Sequence, residues 1–329
     1  MTAGAKVLGK PRGEAAEKAR AFWGHGDRLY TIFIVLGALL VLALVVAIGV
    51  ELWNNSALPR QKFGWSFLIN AQWDPAVEQA FGALPFILGT LVTSLVALLV
   101  AVPLGVGTAI FLAEIAPRWL RQALGWLVEL LAAVPSVVYG LWGLFVFIPT
   151  VVLPLAKGLN AGLGFLPLFN GPVFGPSRLG AGLLLAIMIL PTIAAVGRDV
   201  FHAIPQSQRE AALALGATPW EMVWQVLIPY GGSGLLGAIL LGLGRALGET
   251  MAVTMVIGNN LDLTASLLHP GYTMASVIAN EFSEATYDLY QQSLIEVGLI
   301  LFVITLLLNL LARVLVWRVA RGSDQEAHV

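Results

Sequence analysis

The chain has 329 residues and a mass of 35.0 kDa, with 58 % of residues apolar, 11 % charged and a mean hydropathy of +0.84. A soluble domain carries roughly 25 % charged residues, so this chain has too few charges to cover a water-facing surface. A two-domain soluble enzyme is excluded, and a polytopic membrane protein is expected. Eighteen basic against nineteen acidic residues leave a net charge of −1, so no basic surface points to nucleic acid. Cysteine is absent, which rules out disulfides, Cys-ligated zinc and iron–sulfur clusters. His25, His202, His269 and His328 are far apart and show no ligand spacing. No metal, cofactor or catalytic residue is expected.

In chain order, the first crossing is the run of 22 residues between Arg28 and Glu51, which at ~1.5 Å per residue covers a ~30 Å hydrocarbon core. It is too long, and lacks a small-residue cleavage site, to be a removable signal. Trp53, Trp65 and Trp73 follow and suit an interfacial aromatic belt. Five more crossings are expected at Phe86–Leu112, Leu127–Ile148, Leu179–Gly197, Gly231–Ile257 and Leu294–Trp317. Pro103, Pro135 and Pro191 fall inside them, which is tolerable where neighbouring segments satisfy the freed carbonyls. The fold class is therefore an all-α membrane protein with six transmembrane helices. Thirteen basic residues fall in the tails and in the loops after spans two and four, against four (Arg60, Lys62, Lys157, Arg178) in the opposite loops. That bias places both termini in the cytoplasm. The organisation expected is a basic tail without fixed structure over 1–28, a permease domain over 29–317 and a second cytoplasmic tail over 318–329. The loop over 149–178 is rich in Gly and Pro. The loop Asn259–Ser293 carries Asp262, Glu281, Glu284 and Asp288 without Lys or Arg, and reads either as solvated or as docking an external protein.

The loop over 203–229 has its own pattern. Pro205 can open a helix, Ser207 and Glu210 have capping-box spacing, and Ala211–Leu215 are strong helix formers. Gly216 can stop this helix in a left-handed turn, and Thr218-Pro219 can start another. A short helix outside the bilayer must bury an apolar face, against the membrane surface or against a partner. Glu210-Ala211-Ala212, then Gly216, then nine residues, then Val226-Leu227-Ile228-Pro229 resembles the E-A-A-x3-G-x9-I-x-L-P loop of the permeases of bacterial ABC importers. That resemblance implies a type I importer (MetI-like) fold, with this loop as the coupling helix seated in an ATPase subunit. No G-x-x-x-x-G-K-[ST] pattern occurs in the chain, so the nucleotide is expected on a separate protein.

The fifth span carries Arg245, 16 residues beyond Pro229 or ~24 Å along a helix, with Glu249 one turn further on. Charges at this depth cost about 2.5 kcal/mol or more each, so they should face a bundle interior or a wet path. They read either as a pair that neutralises itself or as an arginine fork for a passing oxyanion, held by Glu249 between passages. Gly244-x-x-x-Gly248 permits close helix approach. Arg245-Ala-Leu-Gly-Glu249-Thr250 and the Met-Ala-Val-Thr-Met-Val-Ile-Gly-Asn that follows are similar to the permeases of phosphate importers, of the PstC rather than the PstA type. Pro135-Ser-Val-Val-Tyr-Gly140 belongs to the same resemblance, which covers the chain from Gly26 onward. It implies a subunit of the bacterial plasma membrane that translocates inorganic phosphate, surrounded by lipid. It also implies a PstA-like permease as heterodimer partner, a PstB-like ATPase dimer and an external phosphate-binding protein. Arg245, Glu249 and Thr250 would belong to the substrate pathway; Glu210, Ala211, Ala212, Gly216 and Pro229 would serve ATPase coupling. The alternatives are an ABC permease for molybdate or sulfate, which would share the loop but not the Arg-Glu-Thr segment, and an ion-coupled secondary transporter, which would have no use for the loop.

Overall fold

The computed structural model describes residues 13–326, with side chains over 30–318. It divides at Asn54 into two units. The first holds helix α1 (Gly13–Asn54), whose stretch Tyr30–Asn54 is long and apolar enough to cross a membrane. Residues 1–12 of the expected basic tail lie outside the described residues. From Gly13 onward that tail is helical, and Ala15, Ala16, Ala19 and Ala21 are the strongest helix formers in it.

The second unit begins with α2 (Ala57–Phe63) and α3 (Ser66–Ile69), then crosses in α4 (Leu84–Ile110), which ends in a π-turn over Phe111–Ile115. Amphipathic α5 (Arg118–Ala133) follows. The third crossing differs from the sequence expectation of Leu127–Ile148. Pro135 lacks an N–H and forces Val134 into an extended conformation, so α5 stops at Ala133 and a new helix starts at Ser136. This crossing runs as α6 (Ser136–Trp142), a π-stretch (Gly143–Val152) around Pro149, and α7 (Leu153–Leu163). The loop expected to start at Pro149 is correspondingly shorter, and Lys157 sits inside α7. Then come α8 (Arg178–Ala203), α9 (Gln206–Ala214) and α10 (Pro219–Met222). The chain continues through a π-turn (Val223–Leu227) into α11 (Ile228–Gly248), then α12 (Met251–Val256), α13 (Met274–Glu281) and α14 (Asp288–Glu326). Six helical segments are long and apolar enough to span a bilayer, as expected, and among the described residues the only β pairing is two isolated bridges.

Helix α8 is the centre of the second unit: its Leu184, Leu185, Met188, Ile189 and Ile193 are fully buried among α4, α6, α11 and α12. Lipid tails are as apolar as these side chains, so close van der Waals packing rather than water exclusion must hold the helices together. Small residues provide it. A Cβ on Gly105 of α4 would lie 2.9 Å from Ile193 Cγ2, and one on Gly182 of α8 would lie 2.6 Å from Val96 Cγ1.

The end of the bundle away from α9 is closed by aromatic rings. Trp73, expected in an interfacial belt, is buried instead, edge-on to Phe81 and Phe86 with ring centroids 4.9 Å away in each case. Its Nε1 donates to Glu281 Oε2 (2.7 Å), which also accepts from the Tyr290 hydroxyl (2.8 Å). Glu281 is thus the polar anchor of a cluster rather than a solvated loop charge. Burial pushes the nearby Tyr272 hydroxyl up to about 12, so it stays a neutral acceptor for Asn280. Buried Arg178 donates to the carbonyls of Thr264 and Asp262 and so pins the segment after α12 to the start of α8.

The packing separates two glycines that lie two positions apart. Gly107 has open space where Gly105 has Ile193. Gly105→Ala is expected to destabilise the protein by about 1–3 kcal/mol, as overpacking of a tight contact does. Gly107→Ala should be neutral or slightly stabilising through helix propensity. Thermal unfolding midpoints of the two purified variants check this; equal midpoints would mean that the α4–α8 contact is loose.

Candidate functional site: a bolted elbow and a broken span

Residues 204–229 form a helix–turn–helix elbow between the fourth and fifth crossings. Pro205, fixed in an extended conformation, is the N-cap of α9, so no side chain caps that end and the expected Ser207–Glu210 box does not form. The C-terminus is a Schellman closure. Ala217 N–H donates to Ala212 O (3.1 Å) and Gly216 N–H to Leu213 O (3.0 Å), with Gly216 at φ +89°. Thr218 then caps α10, and here the capping box is complete: Thr218 Oγ1 accepts from Glu221 N–H, while Glu221 Oε2 accepts from Thr218 N–H (2.8 Å). Pro219 takes the first helical position, whereas Pro229 lies inside the continuous helical run, directly after the π-turn Val223–Leu227.

One face of the elbow points inward. Ala212 is buried with Phe201, Ile204, Met222, Val223 and Leu227. The other face is open: Glu210 and Ala211 are exposed, as are Leu213, Leu215 (90 %), Trp220 and Trp224. The motif residues therefore divide their work. Ala212 packs, Gly216 turns the chain, Pro229 lies in the continuous helical run that follows, and Glu210 and Ala211 face outward.

The residue that fixes the elbow was not singled out from sequence. Arg209 points back into the bundle, with its side chain 11 % exposed. Its Nη2 donates to Glu114 Oε1 (2.7 Å) and its Nε to both Glu114 oxygens (3.2 Å each). Nη1 and Nη2 also donate to the carbonyls of Ile204 (2.6 Å) and Phe201 (2.7 Å). Phe201 lies in the last turn of α8, where its carbonyl also accepts from Ile204 N–H (3.2 Å), and Ile204 is the extended residue that ends the helix. Glu114 lies in the π-turn that ends α4. One guanidinium thus fastens α9 to the ends of two crossings with charge-assisted bonds.

The second polar site lies in the fifth crossing, which the sequence reading took as one helix over Gly231–Ile257. Instead α11 ends at Gly248, Glu249 is extended (ψ 123°), and α12 restarts at Met251. Glu249 is therefore not one helical turn from Arg245 on a common face. Its Oε1 accepts from Ala252 N–H (3.2 Å), so it satisfies a free donor of α12. The ion pairs among the described residues do not include Arg245 with Glu249. Arg245 is half-buried; its Nη1 lies 3.5 Å from Thr192 Oγ1 on α8 and in electrostatic range of the Tyr139 hydroxyl. Thr250 Oγ1 donates to the Gly248 carbonyl (3.2 Å). The break in the third crossing meets this one: Tyr139 donates to Leu131 O at the end of α5 (2.9 Å), and Gly140 lets α12 approach α6. Within this chain Gly244 and Gly248 have open space, and Gly242 makes the close contact, with Ile193.

The family described as binding-protein-dependent transport system inner membrane component matches residues 101–321. The chain is 47 % identical over 303 residues to the phosphate transport system permease protein PstC of Pasteurella multocida, covering 91 % of this chain and 92 % of the relative. It is 44 % identical over 322 residues to the PstC protein of Xylella fastidiosa, covering 96 % and 97 %. Among solved structures, a chain of the bacterial alginate ABC transporter in complex with an alginate-bound periplasmic protein aligns with a TM-score of 0.58. The identity is 18 %, and the match covers 88 % of this chain and 95 % of that one. A chain of the inward-facing MetNI methionine ABC transporter aligns at 0.51 and 18 %, covering 72 % and 94 %. These structures fix the fold as that of ABC importer permeases. The chain belongs to the binding-protein-dependent transport system inner membrane components, among the PstC permeases of phosphate transport systems.

Proposed function

We propose that this chain is the permease subunit that carries inorganic phosphate across the plasma membrane, driven by ATP hydrolysis on a separate ATPase dimer. The observation that carries the reading is the elbow: an exposed apolar face, with Leu215, Trp220 and Trp224 outermost, bolted through Arg209 to the ends of α4 and α8. A helix that merely lay on a membrane would need no such bolt. A helix that is pulled by a nucleotide-driven partner does, because a force applied to it must reach the crossings. The phosphate assignment follows the names of the relatives, which leave molybdate, sulfate and ion-coupled transport without support. The partners proposed are a PstA-like permease, PstB-like ATPases under the elbow and an external phosphate-binding protein. The excess of basic residues on the elbow side and in the tails supports cytoplasmic termini.

Arg245 is the proposed attractive point of the pathway. Ile228 to Arg245 is about 26 Å along α11, so the guanidinium lies deep in the bilayer. No carboxylate among the described residues forms an ion pair with it, and a guanidinium in this state presents planar N–H donors to an oxyanion. Glu249 serves the path indirectly, by capping α12 and holding the break open beside Arg245. Affinity at this point must be modest, since a deep well would trap the anion.

Two outcomes test these assignments. Breaking the bolt with Arg209→Gln leaves a half-buried carboxylate unpaired, at a cost of about 3 kcal/mol to the elbow's attachment. Such a transporter is expected to bind and hydrolyse ATP yet to lose phosphate uptake in proteoliposomes by roughly tenfold or more; full uptake at an unchanged hydrolysis rate would remove the mechanical role. Arg245→Ala is expected to abolish uptake without loss of protein or of ATPase assembly. The exchange Arg245→Glu with Glu249→Arg should fail to rescue it, because the two side chains do not pair; rescue would show that they do.

A further inference from the structure

A third polar feature lies at the same end of the bundle as the elbow. Between α5 and α8 is a cleft of about 340 Å³, with Arg121, Gly125 and Glu129 on one wall and Arg198, Asp199 and His202 on the other. A neighbouring hollow shares Arg121 and His202 and reaches the Arg209–Glu114 bolt. Arg198 uses Nε on Asp199 (3.0 Å) and Nη2 on Glu129 (3.4 Å), and both carboxylates are largely exposed (68 % and 59 %). Its Nη1 is turned toward Gly125, where the missing side chain leaves room: a Cβ there would lie 3.0 Å away.

Arg121 is in a different position. It takes part in none of the ion pairs among the described residues, and its one hydrogen bond runs from Nη2 to Ala116 O (3.3 Å). Its Nε is buried without any hydrogen-bond partner. A buried donor on a charged group left without an acceptor costs roughly 1–3 kcal/mol or more. A sequence selected for stability alone would have supplied a carboxylate here, as it did for Arg198 and Arg209. His202 is exposed and lies in electrostatic range of both guanidinium groups.

We infer that the α5–α8 cleft binds a phosphate group, with Arg121 as its principal donor and Arg198 Nη1 and His202 at its flanks. A tetrahedral oxyanion presents oxygens in several directions and can meet donors from two helices, whereas a carboxylate offers two in one plane. The site is separate from Arg245: Thr192, which marks the depth of Arg245, precedes Arg198 by six residues, about 9 Å along α8. The phosphate group has two possible sources at this depth, free phosphate or the headgroup of an acidic phospholipid. Either would sit one side chain away from the bolt, so occupancy of the cleft would bear on how firmly the elbow is held.

The test uses the assembled transporter in nanodiscs and reads arginine modification by phenylglyoxal residue by residue, with exposed Arg118 as internal reference. In phosphatidylcholine discs, millimolar inorganic phosphate is expected to slow modification of Arg121 roughly tenfold relative to chloride at equal ionic strength, if free phosphate is the ligand. If the headgroup is the ligand, phosphatidylglycerol discs give the same protection without phosphate. Either pattern supports the site, and it should persist in Arg245→Ala, so that failure of the transport role of Arg245 does not touch it. As a second measurement, Arg121→Gln should lower phosphate binding or phosphatidylglycerol retention in native mass spectrometry by a similar factor. Unchanged binding of both probes in Arg121→Gln, or equal Arg121 reactivity with and without both ligands, overturns the inference.

Discussion

The contact on which the elbow depends is one guanidinium set among three hydrogen-bonding groups. Arg209 joins the carboxylate of Glu114, at the end of α4, to the carbonyls of Phe201 and Ile204 at the end of α8, and it does so from the first turns of the helix that faces outward. Glu114 is a half-buried charge that would otherwise be left unpaired, and the planar fork of the Arg side chain can serve it and both carbonyls at once. Remove the contact and α9 is left with only the small apolar face of Ala212 and its neighbours. With the bolt in place, a displacement of the elbow is a displacement of α8, and α8 is the helix around which the second unit is packed.

The same helix leads from the elbow to Arg245, the proposed point of attraction for the anion. Arg245 is placed beside Thr192 on α8, and the break at Glu249–Thr250 brings α12 against α6 at Gly140. The helix break before α6 and the break at Glu249–Thr250 therefore both lie near Arg245. Irregular backbone at membrane depth is tolerated where it is buried in protein or lines a cavity, and its free donors must find acceptors there. Glu249 is such an acceptor for α12, and the carbonyl of Leu131 is met by Tyr139. Both freed groups are thus satisfied, while the proposed role of Arg245 rests on its keeping donors available beyond its one contact with Thr192.

How far the sequence could be read depended on whether the deciding forces were local. The six crossings, the Gly216 turn and the Thr218-Pro219 start are consequences of apolar length, of a backbone angle that favours glycine and of a side chain reaching its own backbone, all visible within a few residues. Ser207 and Glu210 had the right spacing for a cap, but Pro205 already held the N-cap position and started the helix two residues earlier. Periodicity carried across Gly248 put Glu249 on the face of Arg245; the helix in fact ends there, and no count of apolar residues could place that end inside so apolar a stretch. The partnership of Arg209 with Glu114 spans 95 positions and joins two loops that read separately as ordinary charges. Trp73 with Glu281, 208 positions apart, escaped for the same reason.

The most direct measurement of the rigid elbow takes advantage of the absence of native cysteine. Spin labels on Gln208→Cys in α9 and Leu104→Cys on the outer face of α4 report one distance across the bolt by pulsed electron paramagnetic resonance. A narrow distribution that stays the same in nucleotide-free and ATP-bound transporter is expected if elbow and crossings move as one body. A distribution that broadens or shifts on ATP binding, in protein with Arg209 and Glu114 intact, would contradict the account.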